Sequence, residues 1–377
     1  MDKQDIIVLG ITHHNTLGVI RALGESPLHI RSVLILYGEK ESYLTKSKYV
    51  KETIFVTEAN GITDALLGVA SDEKHIVIAV TDESVHQLDL NADRLSPFFY
   101  FFHTTTNGDL TRFMDKLEQD KAAEEVGLMV PTNYTKEAVN YPCLLKPLAS
   151  IAGGKQVLIC NNQNEYKTVN AKYPNIRFQI QQYVYKEQEI VLVGLSVDGK
   201  VHIPAYVLKH REIRGGTTYS TVRPVAELEP TLIDKSKALI KKIGYEGLFG
   251  IEYILSERKY YFIEVNLRND ATCYGVAVAG VNLPLAYVLS KQGTDIQNIV
   301  NGPILVTNAM VEFRDFGFVI ERKIGFFKWM RQRNGCKCKY FYSPTDKKPY
   351  CFNKKKMLNR ITSMFSSKLL KILKLKK

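Results

Sequence analysis

Between Tyr261 and Asp270 the sequence reads YFIEVNLRND, with Glu264, Asn266 and Arg268 at two-residue intervals in an apolar run. In a strand, residues at i, i+2 and i+4 share a face. An acid, an amide and a guanidinium would then project together, while Tyr261, Ile263, Val265 and Leu267 turn to the core. Upstream, LFGIEYIL carries one charge, Glu252, on the face opposite Phe249, Ile251, Tyr253 and Leu255. The two segments read as a hairpin turning at Ser256 to Lys259. A loop with an odd number of residues would set Glu252 directly across from Glu264; a four-residue loop would pair it with Ile263. Opposed carboxylates repel unless a cation sits between them. The oxygens of Glu252, Glu264 and Asn266 suit Mg²⁺ shared with phosphate oxygens.

A solvated sheet face would show the same alternation, so the upstream segment carries weight. LLKPLASIAGGKQV puts Lys146 at a strand end and Gly153, Gly154 and Lys155 in a loop. Glycines let backbone N–H groups approach a phosphate closely, and the lysines add positive charge. Further on, KHREIRGGTTYST offers Lys209, Arg211 and Arg214 before a Gly215-Gly216 turn. This basic loop reads either as a grip on a carboxylate or phosphate, or as plain surface. His13, His14 and Asn15 follow the first strand, placed to line the same cleft or to cap a helix.

These groups need a scaffold. DIIVLG, SVLILYG, ETIFV and HIVIAV alternate with helical connections, which predicts a small open parallel sheet through about residue 100. Leu17, Ile20 and Leu23 have helical spacing, with Asn15 as the expected N-cap. No G-x-G-x-x-G follows the first strand, so the dinucleotide fingerprint is missing. TRFMDKLEQDKAAEEVGLMVPTN predicts one helix, stopped by Gly127 and Pro131. Asp198-Gly199 predicts a hairpin turn, and Leu232 to Ile243 a helix.

At 377 residues, two or three domains are expected, and 45% hydrophobic with 24% charged residues fits a globular chain. MDKQDIIVLG lacks the pattern of a signal peptide, and no run of about 18 apolar residues occurs. The expectation is a cytoplasmic protein with its six cysteines reduced, Cys336, Cys338 and Cys351 being ordinary thiols rather than metal ligands. The net charge of +12 is unevenly spread. From Arg322 onward, 18 Lys or Arg face one acid, leaving the preceding body mildly acidic. That asymmetry argues against nucleic acid as partner of the main domains. In the tail, Leu358, Ile361, Phe365, Leu369 and Ile372 recur at helical spacing among lysines. Such a helix either lies on an anionic membrane from the cytoplasmic side or packs on the body.

From about Thr111 to Gly293 the chain resembles the ATP-grasp superfamily, specifically its carboxylate–amine ligases. The motifs stand in order. Lys116 lies eleven residues before Gly127, Lys146 sits in LLKP, and GGKQV resembles the glycine-rich phosphate loop with Gln156 where Gly is usual. IQQYVYKEQEI resembles the adenine hinge, GIEYI and FIEVNLR the metal strands, and AGVNLPLAYVLSKQG the usual continuation. VLGITHHNTLGVIRALGE, SKYVK and FYSPTDKKPYCF resemble the flanking segments of polysaccharide-locus and amino-acid-ligase relatives.

The resemblance implies an α/β chain, α+β in its catalytic part. A Rossmann-like open-sheet domain would span 1–110, an ATP-grasp domain 111–310 with a lid at about 115–185, and a basic helical extension 311–377. It implies ATP held by Lys116, Lys146, Gly153, Gly154, Lys155, Gln182, Tyr183 and Val184, with Glu189 on the ribose. Mg²⁺, with Mn²⁺ as a substitute, would sit on Glu252, Glu264 and Asn266. Arg268 and Lys146 would act on the reacting groups; Lys209, Arg211, Arg214, His13 and Asn15 would contact substrate. The implied reaction activates a carboxylate as an acyl phosphate and joins it to an amine, with an amino acid as the expected amine. A carboxylase or carbamoyl-phosphate-type enzyme and a non-catalytic nucleotide-binding regulator are the alternatives. Substrate identity and oligomeric state stay open.

Overall fold

β1 (Ile6–Gly10), β2 (Ser32–Tyr37), β3 (Val50–Val56), β4 (His75–Ala79) and β5 (Phe99–Tyr100) form a parallel sheet in the order β3-β2-β1-β4-β5. β1, β2 and β4 are buried along their whole length, as continuous apolar strands are when both faces are covered. The helix His14–Gly24 leaves β1, and its N-cap is His13 rather than Asn15: the His13 imidazole accepts from the Asn15 backbone N–H at 3.3 Å. The computed structural model describes residues 5–147, 157–213 and 216–359.

After the short β6 (His103–Thr104), the expected single helix divides in two, Asp109–Arg112 and Lys116–Glu125. Asp115 makes the break by capping the second helix, its carboxylate accepting from the Leu117 N–H at 2.8 Å. β7 (Asn133–Tyr134), β8 (Cys143–Pro147), β9 (Leu158–Cys160) and β10 (Phe178–Gln182) then form a four-stranded antiparallel sheet with its own small core of Cys143, Leu145, Cys160 and Ile180.

The largest sheet runs β15-β14-β11-β12-β13-β16-β17, made of β11 (Gln188–Val197), β12 (Lys200–Ile213), β13 (Gly216–Pro224), β14 (Tyr245–Ser256), β15 (Lys259–Asn266), β16 (Thr307–Met310) and β17 (Cys338–Lys339). Asp198 and Gly199, both at positive φ, turn β11 into β12 as their residue types require. The helix Pro230–Ile243 covers the sheet with Leu232, Ile233, Leu239, Ile240 and Ile243, a three-and-four spacing.

Up to residue 359, the segment expected as an extension is woven into the body. β17 adds to the large sheet, and the fully buried Arg21 of the first helix reaches the next residues. Its guanidinium donates to the carbonyls of Tyr340, Phe341 and Asp346 at 2.8–2.9 Å and pairs with the Asp346 carboxylate at 3.2 Å. Residues 360–377, which hold most of the expected basic helix, lie outside the described residues.

Candidate functional site

β14 and β15 bring two carboxylates face to face by an unexpected route. Their turn consists of Glu257 and Arg258, both at positive φ, with Ser256 opposite Lys259. That even count alone would pair Glu252 with Ile263. A bulge at Ile263 shifts the register, so Tyr253 opposes Phe262 while Glu252 opposes Glu264. The inserted residue also reverses the strand's phase. Phe262 is fully buried, with Val265 and Leu267 in the core, whereas Tyr261 and Ile263 are half-exposed, against expectation.

Each carboxylate holds an ammonium group. Lys209, opposite Glu189 in the β11–β12 ladder, is nearly inaccessible and lies 2.9 Å from Glu252, against Glu189 and 3.5 Å from Glu212. Burial alone would lower its pKa, but Glu252, Glu189 and Glu212 outweigh it and raise it. Burial raises the Glu252 carboxyl to about 7, against the pull of Lys209 and with the repulsion of Glu264 and Asp270. Glu189 is also desolvated, yet Lys209 and Lys186 hold it down at about 2. Lys116 lies 3.0 Å from Glu264.

Lys116 opens its helix, and Gln119 one turn on fastens that helix to β15. The Gln119 amide donates to the Phe113 carbonyl at 2.7 Å and the Val265 carbonyl at 3.0 Å, and accepts from the Val265 N–H at 2.9 Å. Lys146, on β8, is buried and donates to the Gln181 amide oxygen at 2.5 Å. Burial and the neighbouring Lys116 push its pKa down to about 8. The Asp120 carboxylate orders this layer by accepting from Asn133, Gln179 and Gln181 at 2.8–3.1 Å.

Asn266 joins the groups at the end of β15: its amide donates to Glu252 at 3.3 Å and accepts from Arg268 at 3.0 Å. Arg268 also donates to Asp82 at 2.6 Å. Gly250, opposite Asn266, leaves room for Asp270: a Cβ there would stand 2.9 Å from its carboxylate oxygen and displace it. A cleft of about 270 Å³ opens here, lined by Lys209, Glu252, Glu264, Asn266, Arg268 and Asp270, and by His13, His14, Asn15, Thr81, Asp82 and Arg314.

Several expected residues stand differently. Gln182, Tyr183 and Val184 lie where the chain passes from β10 in the four-stranded sheet to β11 in the large one. Asn15 lines the cleft, but its amide is engaged with Val80 and Asn269, tying the end of β4 to the loop after β15. Arg211 does not reach the cleft. Its guanidinium pairs with the buried Asp315 at 2.7 Å, bonds Gln332 at 2.9 Å and stacks 4.3 Å above Tyr219, because bulges on either side of it disrupt the strand's alternation. Gly153, Gly154, Lys155 and Arg214 lie outside the described residues.

Sequence reasoning missed Gln119, Asp82, Asp270 and Arg314. Arg314 reaches the cleft from beyond residue 310, close to His13 at 3.4 Å and bonded to the Ile213 carbonyl at 3.0 Å. Nothing local marked it. Asp270, by contrast, closes the polar series of Glu264, Asn266 and Arg268 and was legible at the same spacing.

Residues 113–272 match the family model for an ATP-grasp domain. The chain is 24% identical over 207 residues to the formate-dependent phosphoribosylglycinamide formyltransferase of Wigglesworthia glossinidia brevipalpis, covering 52% of each chain. It thus spans about half the length of that curated relative. Among solved structures it resembles the N5-carboxyaminoimidazole synthetase of Staphylococcus aureus complexed with ADP (TM-score 0.65, 14% identity, 86% of each chain). It also resembles an L-amino acid ligase from Bacillus licheniformis (TM-score 0.58, 13% identity, 80% of this chain and 75% of that one). At these identities the structural likeness is one of fold.

Proposed function

From the premise that residues 113–272 form an ATP-grasp domain, we propose that the chain is an ATP-dependent carboxylate–amine ligase, forming an amide through an acyl phosphate and releasing ADP. The observation that carries this reading is the register match of Glu252 with Glu264, with Lys209, Lys116, Asn266 and Arg268 gathered around it.

Three oxygen donors on adjacent strands fit Mg²⁺ in kind: two carboxylates and one amide, too few to close an octahedral shell, which leaves positions for water and phosphate oxygens. Glu252, Glu264 and Asn266 would hold the ion, which would draw charge from the phosphates during transfer. Lys146 and Lys116 would bind phosphate oxygens, and Gln182 to Val184 the base. Arg268, fixed between Asn266 and Asp82, would orient the activated carboxylate. Cations fixed in this way would meet developing negative charge without rearranging, which is usually the largest single contribution to rate.

The finer reading is amide formation on a cell-surface polysaccharide or cell-wall precursor with an amino acid as amine; it rests on the resemblance of the flanking segments. Cytoplasmic work at a membrane face would suit such a precursor. No single described helix is long and apolar enough to cross a membrane.

The test is ADP release in the presence of hydroxylamine, Mg-ATP and pooled amino acids, uronic acids and nucleotide-sugar carboxylates. Hydroxamate formed with ADP, and lost in Lys146→Ala, supports a ligase. Absence of nucleotide binding removes the reading.

A further inference from the structure

The helix Phe326–Gly335 is held by its inner face. Trp329, the one tryptophan in the chain, is buried and donates its indole N–H to Asp315 at 2.9 Å. Cys336, seven residues on, is buried beside it with Met310. Residues i and i+7 share a helix face, so the opposite face is set by the same anchor. On it stand Phe327 and, four residues later, Arg331, both exposed, with Lys328 alongside.

Phe327 is 86% exposed, the most exposed large hydrophobic side chain among the described residues. Phe326, 48% exposed, packs its ring 5.7 Å from that of Phe327. Ile320, 65% exposed, ends the preceding short helix Gly317–Ile320, and the exposed Arg322 and Lys323 lie between. One exposed apolar side chain is ordinary. Here a contacting pair, Phe326 and Phe327, stands on an anchored helix, with Ile320 exposed a few residues before it and cations between.

Its charge selects the partner. From Ile320 to Lys339 there are seven Lys or Arg and one acid, Glu321, which is itself paired with Lys323 at 2.7 Å. We propose that this face docks the chain on an anionic lipid surface: Ile320, Phe326 and Phe327 enter the interface while Arg322, Lys323, Lys328 and Arg331 meet the headgroups. Apolar insertion and electrostatic attraction act together in such binding, and neither suffices alone. Two copies of the same cationic face would repel. None of these residues lines the cleft, so the inference stands whatever reaction the cleft performs.

The test uses the full chain and vesicles of phosphatidylcholine with or without phosphatidylserine. The wild type is expected to sediment with the anionic vesicles only, and Phe326→Ser combined with Phe327→Ser to weaken that binding about tenfold. A single Phe327→Trp change should add emission that brominated phosphatidylcholine quenches when phosphatidylserine is present, while the buried Trp329 of the wild type stays unquenched. Equal sedimentation of the wild type and the double variant overturns the proposal, as does absence of quenching. A wild-type dimer that the double variant makes monomeric, with no vesicle binding, assigns the face to a second copy and overturns it as well.

Discussion

Glu252 and Glu264 oppose one another across β14 and β15, and each is already partnered by an ammonium group, Lys209 at 2.9 Å and Lys116 at 3.0 Å. Two like charges in register destabilise a sheet, so the fold accepts a local cost that the cations only partly offset. The bulge at Ile263 that creates the opposition is a device rather than a defect: without it the second strand would offer an isoleucine to Glu252.

Replacing one of the pair should separate function from fold. Glu264→Gln keeps the shape and the strand register and removes the charge on which Lys116 rests. Turnover is expected to fall by roughly 10²–10³, the scale for one preorganised electrostatic group. The melting temperature should hold or rise slightly, because the partly solvated Lys116 pair contributes little and the repulsion with Glu252 is relieved. Steady-state ADP release and a thermal melt measure both; near wild-type turnover would remove Glu264 from the metal set.

Lys146 gives a pH signature. Its ammonium loses its proton near pH 8 in the folded chain, against an ordinary lysine value of 10.5, because burial and Lys116 disfavour the charge. Between those values the unfolded chain binds the proton and the folded chain does not, so this residue's contribution to stability rises with pH across that window. Nucleotide affinity should run the opposite way and weaken as pH rises above about 8, where the phosphate-binding charge disappears. Lys146→Arg, which stays charged, should flatten the affinity profile. Nucleotide titrations across this range decide it, and identical profiles for the two proteins would discount the lysine.

Arg211 was expected on the substrate, and its partners make it structural. Asp315 is fully buried and accepts from Arg211, the Thr218 hydroxyl at 2.7 Å and Trp329 at 2.9 Å. Arg211→Gln leaves that carboxylate without its cation and should cost about 3 kcal/mol of stability, the lower end for breaking a buried pair. Nucleotide affinity should be unchanged. Urea unfolding together with a nucleotide titration tells the roles apart: intact stability with lost activity would return Arg211 to the substrate.

What the sequence made legible was periodic and local. The four apolar strands of the first sheet and the turn at Asp198-Gly199 follow from residue types within a few positions. The face carrying Glu264, Asn266 and Arg268 was visible from spacing, yet the route to its register was not, because a bulge leaves no mark in a period-two pattern. Arg21 shows the opposite limit. In the sequence it reads as an ordinary polar position of a helix, yet all eleven residues of that helix are buried, and the return of Tyr340 to Asp346 from the far end of the chain makes Arg21 an anchor. Arg314 was missed for the same reason: its place in the cleft depends on chain packing, not on its neighbours.

Gln119 concentrates the link between fold and chemistry. One amide supplies two donors and an acceptor that lock the helix of Lys116 to β15, the strand of Glu264. Gln119→Glu keeps an acceptor for the Val265 N–H but cannot donate to the carbonyls of Phe113 and Val265, and it adds a charge at a buried position. Gln119→Leu fills similar space and leaves all three backbone groups unmet. Either change should cost about 2–4 kcal/mol, since an unsatisfied buried group costs roughly 1–3 kcal/mol. Because the helix carries Lys116, nucleotide affinity should drop alongside stability, whereas Lys121→Ala, on the exposed side of the same helix, should leave both unchanged. Urea unfolding and nucleotide titration on the three variants form the test. A loss of stability with full nucleotide affinity would mean that Lys116 keeps its place through contacts other than this clamp.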